Sequence, residues 1–247
     1  MTSEEIFLGA LILIAATLYS SVGHAGASGY LASMALFGLA PEIMRPTALA
    51  LNVLVASLAT YRYTRAGQND IKLLLPFAFS SIPAAFLGGM IHVPASFYKT
   101  LIGILLLLSA FQLLRTATKS QQQDQQVKNP GIFASLATGA GLGFFAGLSG
   151  TGGGIFLSPL LIFMGWAPTR KVSGIAASFI LVNSISGLLG NVSSINSLPS
   201  SLPFWAIAAL LGGLLGTHLG TRKLTIPGIR VILAVVLLVA SLKMFFR

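Results

Sequence analysis

The sequence predicts an all-α polytopic membrane protein, because three observations agree. Of the 247 residues, 55% are hydrophobic and only 8% are charged, too few charges to cover a soluble domain of this size. Apolar runs of about the ~20 residues needed to cross hydrocarbon recur along the chain. The runs are continuous and do not alternate with period two, so they predict helices and not barrel strands. They cover residues 6–22, 47–61, 73–91, 97–114, 132–148, 172–189, 202–219 and 226–246.

The charged residues and the lack of cysteine exclude several function classes. The net charge is +10, but the Lys and Arg residues stand singly or in pairs at predicted helix ends, where they act as topology determinants and headgroup anchors. A nucleic-acid-binding protein would cluster them on a solvent-facing domain. Without cysteine there is no disulfide or thiolate metal site, and none of the five acids falls in the middle of a predicted helix. We therefore expect no metal, no cofactor and no nucleic-acid partner.

The chain contains an internal repeat at a separation of 127 residues. The offset aligns paired glycines and prolines in one register, which scattered similarity between apolar helices does not explain, and such repeats are typical of secondary transporters. The aligned pairs are Gly23 with Gly150, Gly26 with Gly153, Gly38 with Gly165, and Pro41 with Pro168. The sequence therefore predicts a first membrane repeat over 1–115, a polar, Gln-rich cytoplasmic linker over 116–130 and a second membrane repeat over 131–247.

The distribution of basic residues predicts that the two repeats are inverted. If the segment containing each glycine-rich loop crossed the membrane once, the 15 basic residues would divide 8 to 7 between the two sides. If each loop instead turns the chain back, they divide 11 to 4, as the positive-inside rule favours. Both termini then lie on the non-cytoplasmic side of an inner or plasma membrane. Each repeat becomes a glycine-broken re-entrant hairpin, or a pair of short helices, followed by three transmembrane helices; the shortness of residues 29–40 favours the hairpin. The side with 11 carries Arg62, Arg65, Lys72, Arg115, Lys119, Lys128, Arg170, Lys171, Arg222, Lys223 and Arg230, and the other carries Arg45, Lys99, Lys243 and Arg247.

The glycine-rich segments "SVGHAGASG" (21–29) and "GLSGTGGG" (147–154) predict helix breaks at membrane depth. Glycine costs about 1 kcal/mol relative to Ala inside a helix, and a break is tolerated in a membrane only where protein or water satisfies the freed backbone groups. The helix that follows a break presents free N–H groups and a positive dipole end, which attract an anion. The predicted lining residues are Gly23, His24, Gly26, Ser149, Gly150, Thr151, Gly152, Gly153 and Gly154, with the intramembrane amides Asn52 and Asn183.

Structural explanations compete with the binding hypothesis at each of these positions. The glycines are also typical of close helix packing, His24 of a hydrogen-bonded structural histidine, and the asparagines of bridges between helices. The sequence "GLSG" also matches the nucleophile segment of a rhomboid-like intramembrane protease, with Ser149 as nucleophile and His218 as base. However, the repeat places Val22 opposite Ser149, and no separate oxyanion donor set is evident, so we expect no enzyme and no catalytic residue. A third alternative is a membrane scaffold that transports nothing.

The segment "GLSGTGGGIFLSPLLIFMGWAP" (147–168) resembles the glycine-rich segment near the start of each half in the TauE/SafE family of sulfite exporters and related anion permeases. The first-half copy, "SSVGHAGASGYLASMALFGLAP" (20–41), is degenerate: Ala25 and Ala27 replace glycines, and no proline stands opposite Pro159. The resemblance covers nearly the whole chain. It implies a binding site around residues 150–154 and their counterpart 23–27. The second range adds Ala25 to the predicted lining residues.

The resemblance also implies secondary transport of sulfite, a sulfonate or a related small organic anion by alternating access. The expected partners are thus a small anionic substrate and the lipid bilayer. Coupling to a proton, for which His24 is the candidate, and coupling to Na⁺ held by carbonyls and hydroxyls both remain open, as does a homo-oligomer.

Overall fold

The computed structural model describes residues 2–118, 128–221 and 227–245, and within these ranges every regular element is helical. Six helices are long and apolar enough to cross a membrane: α1, α3, α4, α6, α8 and α9. This confirms the predicted fold class. The helices are α1 (Ser3–Ser20), α2 (Ala27–Leu36), α3 (Pro41–Arg65), α4 (Ile71–Met90), α5 (Ala95–Thr118), α6 (Ile132–Ser149), α7 (Gly154–Phe163), α8 (Thr169–Gly190), α9 (Leu202–Thr221) and α10 (Pro227–Phe245), with a 3₁₀ segment at Val192–Ser197 after α8.

The two halves carry the same series of five helices. At the 127-residue offset, α2 maps onto α7 without any shift, and α1 and α6 are both 18 residues long. Most of the predicted linker, residues 119–127, lies outside the described residues, although α5 continues to Thr118. The basic residues Lys119, Arg222, Lys223 and Arg247 also lie outside them.

Both glycine-rich segments interrupt helices, as predicted. The first break covers residues 21–26 and the second residues 150–153. Gly23, Gly26, Gly150, Gly152 and Gly153 all have φ between 73° and 119°, a left-handed backbone that side chains with a Cβ rarely adopt. The local sequence therefore dictates where α1 and α6 end.

The chain turns back after α1. At one end, the Phe7 ring lies 6.0 Å from the Phe37 ring, just before α3 begins. At the other end, the Tyr63 hydroxyl donates to the Ser20 carbonyl oxygen at 2.8 Å, close to the end of α3. Helices α1 and α3 thus run in the same direction, and α2 returns between them. The returning unit combines one helix of membrane-crossing length with a second of only ten residues, so neither of the two predicted forms describes it fully.

Helix α2 lies in the interior of the protein. Each of its residues from Ala27 to Ala35 is buried, and it packs against α1, α3 and α10. A short helix that is apolar and small all round can be surrounded in this way. The first break therefore opens into the centre of the bundle.

Each half packs the first helix of its repeat against the fourth helix of the other. The contacts run in register in both pairs, so α6 is parallel to α4 and α9 is parallel to α1. Glycines allow the close approach, since a Cβ would overlap a carbonyl oxygen of the facing helix. The facing pairs are Gly139 with Phe77, Gly143 with Ser81, Gly147 with Ala85, Gly212 with Leu13, Gly216 with Thr17, and Gly220 with Ser21.

The equivalent helices α3 and α8 cross in opposite directions. A Cβ added to Gly187 would lie 3.6 Å from Leu49, and the Asn69 side chain, just beyond α3, donates to Ser178 at 2.9 Å. Since these helices correspond in the repeat, their antiparallel crossing supports inverted halves, which stay a prediction.

One ion pair brings basic ends of the two halves together. Lys171 Nζ lies 2.8 Å from Asp70 Oδ2, so the start of α8 is at the same end of the bundle as the loop between α3 and α4. At the opposite end, Lys243 donates to the Leu36 carbonyl oxygen. This grouping agrees with the returning path and not with a single crossing, while the side of the membrane on which each end lies stays a prediction.

Candidate functional site

The two breaks face each other across one small cavity. Its volume is about 10 Å³, which by the usual threshold is room for about one water molecule. The lining comes from the end of α1, the first break and the start of α2, from the second break and the start of α7, and from one residue of α8. The lining residues are Tyr19, His24, Ala25, Gly26, Ala27, Ser28, Thr151, Ile155 and Ile180.

Two helices begin at this cavity without a side-chain cap. The N-cap residue of α2 is Gly26 and that of α7 is Gly153, and neither position supplies a side-chain hydrogen bond. The first N–H groups of an α-helix have no acceptor inside the helix, and they carry the positive end of its dipole. The N-terminal turns that contain Ala27 and Ile155 therefore bring two sets of amide donors to one place.

Tyr19 adds a hydroxyl that sequence reasoning missed. Its side chain lines the cavity and is 3% exposed, but its hydroxyl makes no hydrogen bond to any residue that the structure describes, although Ser28 lies beside it. The Ser28 hydroxyl instead pairs with Ser109 at 3.3 Å. A buried hydroxyl without a partner is uncommon unless water or a ligand satisfies it. In the sequence Tyr19 is one more apolar-helix residue, and nothing in its spacing distinguishes it.

His24 links the first break to α7. Its Nε2 lies 3.0 Å from the Gly154 carbonyl oxygen and 2.9 Å from Ser158 Oγ. Because a carbonyl can only accept, the Nε2 atom carries a proton in this arrangement. His24 therefore lines the cavity and is also a hydrogen-bonded structural histidine.

The second break is held by a short polar network. The Ser149 and Thr151 hydroxyls lie 2.8 Å apart, and Ser149 also donates to the Phe145 carbonyl oxygen at 2.6 Å. Asn52 Nδ2 reaches the Thr151 carbonyl oxygen at 3.4 Å, while Asn52 Oδ1 has no partner. Gly152 lies against Asn52 and Ser184, and a Cβ there would come within 3.0 Å of both side chains.

Several predicted site residues lie away from the cavity or serve packing. A Cβ at Gly23 would overlap the backbone of Ser173, so this glycine allows the first break to contact α8. Gly150 lies beside Arg45. Asn183 donates to the Phe179 carbonyl oxygen of its own helix at 2.8 Å and does not line the cavity.

Arg45 differs most from its predicted role as a headgroup anchor. It is only 6% exposed, and its guanidinium donates to four backbone carbonyl oxygens at 2.6 to 3.0 Å. These acceptors are Gly88, Gly89 and Ile91 near the end of α4, and Gly147 near the end of α6. The side chain replaces water as the donor to helix-end carbonyls that have no partner within their helices.

The structure does not form the Ser149–His218 pair of the protease alternative. Ser149 immediately precedes Gly150, which lies beside Arg45 near the start of α3, whereas His218 follows Thr217, which accepts from Arg62 near the end of α3. The 17 residues between the two arginines correspond to about 25 Å of helix. A hydrogen bond between Ser149 and His218 is therefore impossible in this fold.

The fold and the cavity define a polytopic helical membrane protein in which two helix breaks meet at one small cavity. The family model described as "Sulfite exporter TauE/SafE" matches residues 8–244. The chain belongs to the TauE/SafE family, which confirms the resemblance found in its sequence.

Curated relatives carry transporter names. The chain is 40% identical over the whole length of both chains to "Probable membrane transporter protein y4hK" of Sinorhizobium fredii. It is 31% identical over 60% of its length to a "Probable membrane transporter protein" of Xylella fastidiosa, covering 57% of that protein. A third relative, "Probable membrane transporter protein MJ0441" of Methanocaldococcus jannaschii, is 25% identical over 53% of this chain and 49% of its own. No solved structure matches the chain. The family and these names support a multi-pass membrane transporter.

Proposed function

We propose that this protein is a secondary transporter of a small anion, such as sulfite or a sulfonate, that works by alternating access around its two helix breaks. The observation that carries the proposal is the meeting of two uncapped helix starts at one cavity. Each start favours negative charge, and together they provide several N–H donors in a site shielded from water.

Side chains at the cavity add donors and no negative charge. The Tyr19 hydroxyl has no partner in the described part of the chain, and Thr151 contributes a second hydroxyl. Among the described residues, no Asp or Glu lines the cavity. An oxyanion entering such a site exchanges its hydration shell for fixed donors, which compensates for the loss of water.

The volume of the cavity indicates a closed conformation. Room for about one water molecule is too little for a sulfite ion or any sulfonate, so binding requires the breaks to separate. The contacts of His24 with Gly154 and Ser158 join the two halves directly at the cavity. We expect them to be among the contacts that loosen when the cavity opens, and the antiparallel α3 and α8 to present the site alternately to the two sides.

Flux in proteoliposomes tests this function. The candidate anions are sulfite, thiosulfate, sulfonates and small carboxylates, tested with and without imposed proton and Na⁺ gradients. Tyr19→Phe removes only the unpartnered hydroxyl. We expect it to weaken apparent affinity about tenfold, the effect of one hydrogen bond to a charged group, without lowering thermal stability.

Tyr61→Phe is the matched control, since Tyr61 does not line this cavity between the breaks, and we expect it to keep normal flux. Unchanged flux and affinity in Tyr19→Phe would mean that the transported anion does not bind at this cavity. If no anion is transported and none raises the unfolding temperature, the scaffold alternative is favoured.

A further inference from the structure

A second cavity, of about 300 Å³, lies between the ends of α3 and α9. It differs from the central cavity in chemistry, because two arginines and a histidine line it. It is large enough for a phosphate or a lipid headgroup, whereas the central cavity holds about one water molecule. The lining residues are Tyr61, Arg62, Arg65, Ala66, His218 and Thr221.

The arginines are held in place but not neutralised. Arg62 Nη1 donates to the Leu214 carbonyl oxygen at 2.7 Å and to Thr217 Oγ1 at 3.0 Å. Arg65 Nη1 donates to the Tyr61 hydroxyl at 2.8 Å, and its guanidinium lies 5.5 Å from the centre of that ring. Within the described part of the chain the one ion pair joins Lys171 to Asp70, so neither guanidinium faces a carboxylate. Each keeps unused N–H donors with the geometry that suits a phosphate.

An apolar surface leads from the membrane interior to this cavity. Ile207, Leu211 and Leu215 follow one side of α9 towards His218, and each is 49 to 59% exposed. The 11 residues from Ile207 to His218 rise about 16 Å, close to half of the ~30 Å hydrocarbon core. The surface therefore has the length of one leaflet, and it ends at the basic cavity.

We propose that the groove between α3 and α9 binds an anionic phospholipid. Its phosphate is held by Arg62, Arg65 and His218, and an acyl chain lies along the exposed side of α9. A soluble anion needs no apolar surface of leaflet length, and the ring of Tyr61, 58% exposed, is typical of the membrane interface. The predicted topology places this end at the cytoplasmic leaflet, where anionic lipids attract basic residues. The proposal does not depend on which anion is transported.

Lipid retention by the purified full-length protein provides the test. The protein is equilibrated in detergent with equal amounts of phosphatidylglycerol and phosphatidylcholine, and bound lipid is counted by native mass spectrometry. We expect the wild type to prefer phosphatidylglycerol, and Arg65→Gln to lower that preference roughly fivefold, the effect of one basic residue near an anionic lipid. Arg65 is the first choice because its hydrogen bond and its ring contact are both with Tyr61 of the same helix, so its replacement leaves helix packing intact.

Lys72→Gln removes a positive charge from the same end of the bundle and should leave the preference unchanged. Arg62→Gln should also reduce it, with some loss of stability because Arg62 contacts α9. A wild type without preference, or an Arg65→Gln variant that keeps it, overturns the proposal. A third arm adds inorganic phosphate to protein in phosphatidylcholine nanodiscs. If phosphate raises the unfolding temperature of the wild type but not of Arg65→Gln, and phosphatidylglycerol is not preferred, the cavity binds a soluble anion and the lipid proposal is wrong.

Discussion

The Arg45 guanidinium donates to the Gly147 carbonyl oxygen through both Nε and Nη2, at 3.0 and 2.8 Å. Gly147 corresponds in the repeat to Ser20, whose carbonyl oxygen accepts from the Tyr63 hydroxyl. Arg45 and Tyr63 lie near opposite ends of α3. One helix therefore fixes the ends of both α1 and α6, where the two breaks begin, and the cavity depends on its position.

Arg45→Met should destabilise the protein strongly. The substitution leaves four carbonyl oxygens without their donor, three of them in buried hydrogen bonds, and hydrogen bonds from a charged group are worth about 1.5–3 kcal/mol each. We expect a loss of at least about 3 kcal/mol, measured as a fall in unfolding temperature in detergent. Lys99→Met, at the start of α5, is the control and should change little. A stable Arg45→Met variant would mean that water replaces the guanidinium without cost.

Two glycines of α6 should respond oppositely to the same substitution. At Gly143 an added Cβ would overlap the Ser81 carbonyl oxygen of α4, and overpacking of this kind costs about 1–3 kcal/mol. At Gly141 an added Cβ meets nothing within 4 Å, so alanine only improves helix propensity. Gly143→Ala should therefore lower the unfolding temperature and Gly141→Ala should keep or raise it. Equal effects at both positions would contradict the close contact of Gly143 with α4.

The breaks could be predicted from sequence because their cause is local. Dense glycines at residues 23–29 and 150–154 disfavour a continuous helix whatever surrounds them, and the helices do end there. The charge distribution also predicted that the chain turns back at each loop, since basic residues collect on one side of a membrane. The basic ends joined by Lys171 and Asp70 agree with it.

Arg45 and Gly23 could not be assigned in this way because their partners come from distant segments. The acceptor Gly147 is 102 residues from Arg45, and the backbone of Ser173 that packs on Gly23 is still more distant in sequence. An arginine near a helix start looks like a headgroup anchor until the carbonyls around it are known. Similarly, a tyrosine in an apolar helix looks like core until its hydroxyl is found without a partner.

The Asp70–Lys171 pair should contribute a small stabilisation that depends on pH. A hydrogen bond from Lys171 lowers the pKa of the Asp70 carboxyl, with smaller help from the Leu73 amide. Because the pKa is lower in the folded protein than in the unfolded chain, the contribution is complete above the unfolded value and disappears as pH falls through the folded value. Both side chains are partly exposed, so we expect at most about 1 kcal/mol.

A double-mutant cycle isolates this pair. Asp70→Asn keeps an oxygen that can cap α4 at the Leu73 amide, so it removes mainly the charge. The coupling with Lys171→Gln is measured from unfolding temperatures between neutral and strongly acidic pH, at low and high salt. It should be present at neutral pH, weaken with salt and vanish in acid. Coupling that persists in acid would show that the charge of Asp70 is not its source.

His24 variants separate a structural link from a proton carrier. Because Nε2 donates to the Gly154 carbonyl oxygen, a glutamine side-chain amide can preserve the link between the halves, whereas leucine cannot. We expect His24→Gln to keep anion exchange within about threefold of the wild type, less than the effect of one lost hydrogen bond, and His24→Leu to lose both stability and flux. Exchange in proteoliposomes, with equal anion on both sides, is compared with uptake driven by a proton gradient. If His24→Gln exchanges normally but loses only the response to the proton gradient, His24 carries the coupling proton and its role is not solely structural. If His24→Leu is as stable and as active as the wild type, the contact with Gly154 does not hold the breaks together.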